Sequence, residues 1–237
     1  MHQLHIVTPI WNAADSVKRS IAAIVSSKVV FPFEYTVYNA CLAGDKLKKL
    51  TELSAQYHFN VVSVNPSGSS PISLLVEMLR QAQQQALLAE VPLLWVSPDV
   101  VVNKDTVQEL FEYRRFMERA GLISALVHDS KDIIAAPHLY AWKYNRGIVP
   151  THQNVGLSCV LFTPRLLAAI DFGDLPDTEE AFDVRISKRS RRLGFRNYLI
   201  TTSVVEQMSK YPDYRSGSKN RNLLTSLWKK WMKRRSS

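Results

Sequence analysis

A chain of 237 residues, 46% hydrophobic and 22% charged, can bury a substantial core in one large domain or two small ones. No apolar run approaches the roughly twenty residues of a membrane span, and Leu4 to Val7 is strand-like with no basic and apolar leader before it, so a cytosolic protein is expected. Cys41 and Cys159 lack metal-ligand spacing and partner cysteines, and the six histidines show no HxxxH or HExxH pattern, which argues against a disulfide scaffold or a zinc site.

The net charge of +9 is concentrated at one end. Between Pro212 and Ser237 eight basic residues (Arg215, Lys219, Arg221, Lys229, Lys230, Lys233, Arg234, Arg235) face one acidic residue, Asp213, leaving a body of about +2 that is nearly neutral.

Periodicity alternates between strand and helix from the start. Leu4 to Thr8 reads as a strand ended by Pro9; Asn12 can cap a helix, with Asp15 three residues on and Val17, Ile21, Ile24 and Val25 on one face. Glu34 to Asn39 is a second strand, and Lys46 to Tyr57 a helix with Leu47, Leu50 and Leu53 inward. Asn60 to Val64 is a third strand, followed by a turn-rich Asn65 to Pro71 and a helix to Leu88 that buries Ile72, Leu75, Leu79, Ala82 and Ala86. A fourth, apolar strand runs from Leu93 and ends in Ser97-Pro98-Asp99. This order predicts a mostly parallel sheet covered on both faces.

Past Asp99, residues Asp105 to Ala120 read as helix, Leu122 to Val127 as strand and His128 to Asn154 as an irregular polar and aromatic stretch. Val155 to Phe162 is strand-like, Pro164 opens a short helix, Glu179 to Leu193 forms the last helix of the body, and Asn197 to Val205 closes the sheet. No internal repeat or low-complexity segment is present.

Asp99 is the first candidate for chemistry. Ligands of open α/β sheets sit outside the carboxyl ends of the strands, so a carboxylate there faces a crevice and can meet a metal or a phosphate-bearing substrate. The alternative is that Pro98-Asp99 only turns the chain. The first strand-to-helix turn, Thr8-Pro9-Ile10-Trp11-Asn12-Ala13, has no glycine, which excludes a dinucleotide fingerprint and a P-loop.

That turn resembles the opening of the family 2 glycosyltransferases, which have the GT-A nucleotide-sugar-binding fold. Thr36-Val37-Tyr38-Asn39-Ala40-Cys41 is similar to the end of their second strand, and Leu94 to Val102 to the strand bearing their DxD motif, with Ser97-Pro98-Asp99 at its position. Phe182 to Phe195 resembles, without a gap, their Glu-Asp-x-Asp-Leu-x-x-Arg-x-x-x-x-Gly-aromatic helix, and Val155 to Phe162 their acceptor-side strand. The resemblance covers residues 4 to 208.

It implies a donor-binding half over 1–102 and an acceptor half over 103–211, to which the basic stretch over 212–237 is appended as a tail. It implies further that Asp183 is the general base of an inverting transfer and that Asp99 binds a divalent metal, Mg2+ or Mn2+. Pro9, Trp11, Asn12, Tyr38, Asn39, Ser97, Arg185 and Arg189 fall to donor binding. Five positions depart from the pattern: Tyr38 for a uracil-binding Asp, Ser97 for the first DxD carboxylate, Phe182 for the Glu before the base, Arg185 for a later Asp, and Gln207 for a metal-binding His. Metal ligation is thereby reduced to one carboxylate, which predicts weak binding.

Two readings follow. One is an active transferase, moving a sugar from a nucleotide-sugar donor to a hydroxyl of a glycan or lipid-linked acceptor in cell-surface polysaccharide synthesis, with Arg185 or Arg189 supplying part of the charge neutralisation. The other is a degenerate GT-A domain that binds a sugar nucleotide or glycan, or acts as a scaffold. Nucleic-acid binding rests only on the basic tail, without any recognised nucleic-acid pattern in the body. In that tail Leu223, Leu224, Leu227, Trp228, Trp231 and Met232 gather on one helical stripe amid cations, which suits a helix lying on anionic lipid at the inner face of a membrane. Docking on the body or a dimer contact is the alternative.

Overall fold

The computed structural model describes residues 2–10, 16–40, 43–64, 71–128, 148–151, 154–175 and 181–208. The tail over 212–237, Trp11, Asn12 and most of the stretch after His128 lie outside them. The first strand, β1 (Leu4–Ile10), is buried along its whole length, as a strand covered on both faces of a sheet must be. It is followed by α1 (Ser16–Val25), β2 (Phe33–Asn39), α2 (Gly44–Tyr57), β3 (Asn60–Ser63), α3 (Pro71–Leu88) and β4 (Leu93–Val96). Beyond these come β5 (Val100–Val102), α4 (Thr106–Tyr113), β6 (Ala120–His128), β7 (Ile148–Thr151), β8 (Cys159–Phe162), α5 (Pro164–Ala169), α6 (Phe182–Arg192) and β9 (Arg196–Gln207).

Among the described residues one nine-stranded sheet runs in the order β3-β2-β1-β4-β8-β6-β9-β5, with β7 paired to β9. Strands β1, β2, β3, β4, β6 and β9 point one way and β5, β7 and β8 the other. The alternation of side chains along each strand sorts the core into two layers. Leu4, Ile6, Leu94, Val96 and Ile123 meet Val17, Ile21 and Ile24 of α1, Leu50 of α2 and Phe111 of α4. Val7, Leu93, Trp95 and Leu122 point the other way, onto Leu75 and Met78 of α3, Leu167 of α5 and Ile186 of α6. None of the described helices is long and apolar enough to cross a membrane.

The structure corrects several boundaries. The helix expected over Asp105 to Ala120 stops early: α4 ends at Tyr113, a single 3-10 turn covers Arg114–Phe116, and Met117 is extended. Arg119 then takes a left-handed φ of 55°, and Ala120 already belongs to β6. Ala120 is buried and pairs with Arg196, so the chain leaves the helix in time to enter the sheet. The strand expected over Val155 to Phe162 is regular only from Cys159. Val100–Val102, read only as a continuation past Asp99, is a separate strand antiparallel to β9. The irregular stretch after His128 contains β7. The helix expected from Glu179 is described from Phe182, residues 176–180 lying outside the described set.

The opposite end of the sheet from the carboxyl ends of β1, β2 and β4 holds a buried histidine. His5 is 1% exposed, its Nε2 lies 3.1 Å from Thr36 Oγ1, and burial pushes its pKa down to about 4 against the opposing pull of Glu34. The folded pKa is depressed below the unfolded value, so protonation favours unfolding. The contribution is fully present above about pH 6.5 and is lost as pH falls towards 4, with an upper size of about 3 kcal/mol. Urea midpoints between pH 7 and 4.5 should therefore fall more steeply for the native chain than for His5→Gln; equal slopes would show that His5 is not the titrating group.

Candidate active site

The carboxyl ends of β1, β2 and β4 lie side by side, because all three run parallel in adjacent positions. Register places Pro9 opposite Tyr38 and Ile10 opposite Asn39. Ser97-Pro98-Asp99 follows directly on β4 at the same edge. These candidates therefore share one end of the sheet, the end where open α/β folds bind ligands.

The turn that carries Asp99 is fastened on two sides. Ser97 N–H donates to Ser158 O (2.8 Å), Ser97 Oγ donates to Leu157 O (3.0 Å), and Val100 N–H closes the turn on Ser97 O (3.1 Å). From the other side Met208 N–H donates to Asp99 O (2.8 Å), and Gln207 Nε2 donates to Asp99 Oδ2 (3.0 Å). The pairing of Val100 with Gln207 makes this possible, bringing together side chains 108 residues apart. Asp99 is 7% exposed and Ser97 1%, so the turn is a fixed feature of the sheet edge, not a solvated loop.

Other candidates sit deeper than a ligand contact requires. Tyr38 is 1% exposed and packs with Leu75, Met78 and Trp95; burial, then the Glu34 charge, pushes its phenol pKa up to about 12. Asn39 is 4% exposed, and its carbonyl accepts from Val64 N–H (2.8 Å). The Ser97 hydroxyl is turned towards the Leu157 carbonyl.

Asp183 stands in the first turn of α6, half-buried, its Oδ1 accepting from Val184 N–H (2.9 Å). One turn on, the Ser187 hydroxyl accepts from Val155 N–H (3.0 Å) and donates to Val155 O (3.3 Å). That segment runs straight into Leu157 and Ser158, the acceptors of the Ser97 bonds, so α6 is joined at Ser187, one turn beyond Asp183, to the Asp99 turn by a short stretch of chain. At its far end α6 lies tight against β6: a Cβ at Gly121 would fall 2.8 Å from that of Phe195 and closer still to Ser190 Oγ. Glycine at 121 thus permits the approach that sets the height of α6. Arg185 is 4% exposed, with its guanidinium carbon 5.1 Å from the centre of the Phe182 ring, and Arg189 follows four residues later, half-buried.

The donor set limits what metal the site can take. Among the described residues no three His, Cys, Asp or Glu side chains gather into a cluster. Asp99, one of whose oxygens accepts the Gln207 amide N–H, does not form a preassembled cage and suits only a hard cation that brings most of its ligands as phosphate oxygens and waters. The resemblance puts Gln207 at the position of a metal-binding His, but its bond to Asp99 and the contacts of Leu157 and Ser187 are not identified from sequence, since antiparallel register and loop path leave no local pattern.

No protein-family profile and no curated protein matches the chain. Solved structures do. The chain is similar to a mycobacterial protein (18% identity, TM-score 0.55, 95% of this chain and 73% of that one). It is similar to S. aureus TarS 1-349 (14%, 0.58, 87% and 60%). It is also similar to the mannosyltransferase PcManGT from Pyrobaculum calidifontis, solved in complex with GDP-Man and Mn2+ (14%, 0.62, 95% and 64%). The chain spans less than two thirds of the length of the latter two. At these identities the likeness is one of fold, and the chain has a GT-A/Rossmann-like α/β fold.

Proposed function

We propose that this protein is an inverting glycosyltransferase of the family 2 type. It would move a sugar from a nucleotide-sugar donor to a hydroxyl of a glycan or lipid-linked acceptor in cell-surface polysaccharide synthesis on the cytoplasmic side of a membrane. The observation that carries the reading is the joining of the Asp99 turn, through residues 155–158, to Ser187 of α6, one turn beyond Asp183, at the ligand-binding end of a fold shared with a mannosyltransferase. The donor half is 1–102 and the acceptor half 103–211, with the donor lying across the ends of β1 and β2 beside Pro9, and with Tyr38 and Asn39 beneath it as packing and not as contacts.

In the transfer step the acceptor oxygen attacks the anomeric carbon from the face opposite the diphosphate. The new C–O bond forms as the old one breaks, the bonding pair leaves with the diphosphate, and the hydroxyl proton passes to the Asp183 carboxylate. A divalent cation bound at Asp99 would supply neutralisation of the leaving diphosphate. Arg185 and Arg189 add fixed positive charge on α6.

A second reading, a sugar-nucleotide-binding domain without catalysis, draws on the deep burial of Tyr38 and Arg185. Thermal shift with GDP, UDP and their sugar derivatives, with and without Mn2+, tests both readings for a nucleotide site, because a ligand that binds only the folded state raises its melting temperature. The expected result is a rise of several degrees for at least one nucleotide, larger with Mn2+, with the Mn2+ increment lost in Asp99→Ala. No shift with any nucleotide would leave a scaffold. An increment that survives in Asp99→Ala would move the cation elsewhere.

A further inference from the structure

The residues 155–158 present a problem that the sheet does not solve. Val155, Leu157 and Ser158 are buried, at 4%, 1% and 2% exposure, and they precede β8, where its regular ladder with β4 ends; only Ser158 O continues that register, by accepting the Ser97 main-chain N–H, and the groups before it have no ladder partner. Buried backbone groups must find partners elsewhere. Two serines supply them from opposite sides: Ser97 through its N–H to Ser158 O and its hydroxyl to Leu157 O, Ser187 through one hydroxyl that serves both Val155 N–H and Val155 O. Ser187 is held in turn by β9, since Asn197 Nδ2 donates to Ser187 O (3.1 Å) and Ser190 Oγ donates to Asn197 Oδ1 (2.8 Å). Ser187 and Ser190 are fully buried and Asn197 nearly so.

We propose that Ser97 and Ser187 are positioning residues, the two ends of a hydrogen-bonded brace through 155–158 that fixes the Asp99 turn relative to the first turn of α6. The roles of Asp99 and Asp183 rest on the transferase reading; the brace itself does not. A reaction that needs a base on one element and a diphosphate site on another tolerates little error in their spacing, a displacement of about 1 Å costing on the order of a hundredfold in rate. The brace also explains why position 97 holds no carboxylate. A carboxylate is an acceptor only, and there it would face the acceptor Leu157 O in a buried setting, whereas a hydroxyl donates.

Hydrogen exchange on the full chain tests this directly. Ser97→Ala should raise amide exchange at least fivefold in 155–158 and in the first turn of α6, and Ser187→Ala should raise it likewise at Val100 and Met208, whose N–H groups close the Asp99 turn. Ser97→Thr, which keeps the hydroxyl, should restore the native pattern. Ile24→Val, on the opposite face of the sheet, controls for general loosening and should leave both regions unchanged. Ser97→Asp should melt below Ser97→Ala and bind GDP and UDP in Mn2+ no more tightly than the native chain.

Exchange that rises only on the side of the substitution, or rises equally in Ile24→Val, overturns the brace. So does a Ser97→Asp variant whose affinity for either nucleotide in Mn2+ increases tenfold. A native chain that binds neither nucleotide would count against the transferase reading, and the exchange measurement would then decide the brace by itself.

Discussion

Asp183→Asn should lower sugar transfer by about a hundredfold or more while nucleotide affinity stays within about twofold of the native chain. Asparagine keeps the size and shape of the side chain, and its Oδ1 can still accept from Val184 N–H, so the first turn of α6 has no reason to rearrange. What it loses is the capacity to take a proton. The acceptor hydroxyl must then attack while still protonated, and the cost appears only in the transition state, which predicts a fall in kcat with little change in KM for the donor. The measurement is a donor-consumption assay with a panel of glycan and lipid-linked acceptors, run beside calorimetry of the nucleoside diphosphate. Turnover at the native rate would remove Asp183 as base. Loss of nucleotide binding in step with turnover would make it a donor contact instead.

Much of the architecture is legible in the sequence because it depends on local periodicity. Val17, Ile21 and Ile24 define the inward face of α1 whatever they pack against, and the alternation along Leu93 to Val96 divides its side chains between two core layers whatever strands lie beside it. The misread places are those where a distant segment decides. Val100–Val102 is a strand only because β9 pairs with it. The helix after Asp105 stops at Tyr113 because Ala120 must enter the sheet beside Arg196.

The site shows the same division. The sequence marks Asp99, at the end of an apolar strand, and Asp183, at the start of a helix. It does not reveal that Gln207 holds the one, or that Ser97 and Ser187 join the two through 155–158, because those bonds span 108, 60 and 32 residues. Burial is equally invisible: Tyr38 and Arg185 are polar residues in the right motif positions, and only packing shows that neither is freely presented.

Removing Asn222 to Ser237 should abolish binding to anionic vesicles and leave the body folded, since the elements of the described residues, with their two core layers, all lie before Met208. The tail after Pro212 brings together +7 of the chain's +9 net charge and the apolar set Leu223, Leu224, Leu227, Trp228, Trp231 and Met232. Each part does a different share of the work. Cations near an anionic surface contribute roughly 1 kcal/mol each and would draw the segment to the headgroups; the apolar, tryptophan-bearing set would then hold it at the interface. Salt screens the first contribution and not the second, so raising ionic strength from 0.1 to 0.5 M should weaken binding of the full chain without eliminating it. Neutral vesicles should bind it far less than anionic ones. Flotation of both forms with each vesicle type decides the matter. Equal flotation of the two forms, or none for either, would assign the tail to docking on the body or to a dimer contact, and with it would go the main reason to expect an acceptor held at a membrane.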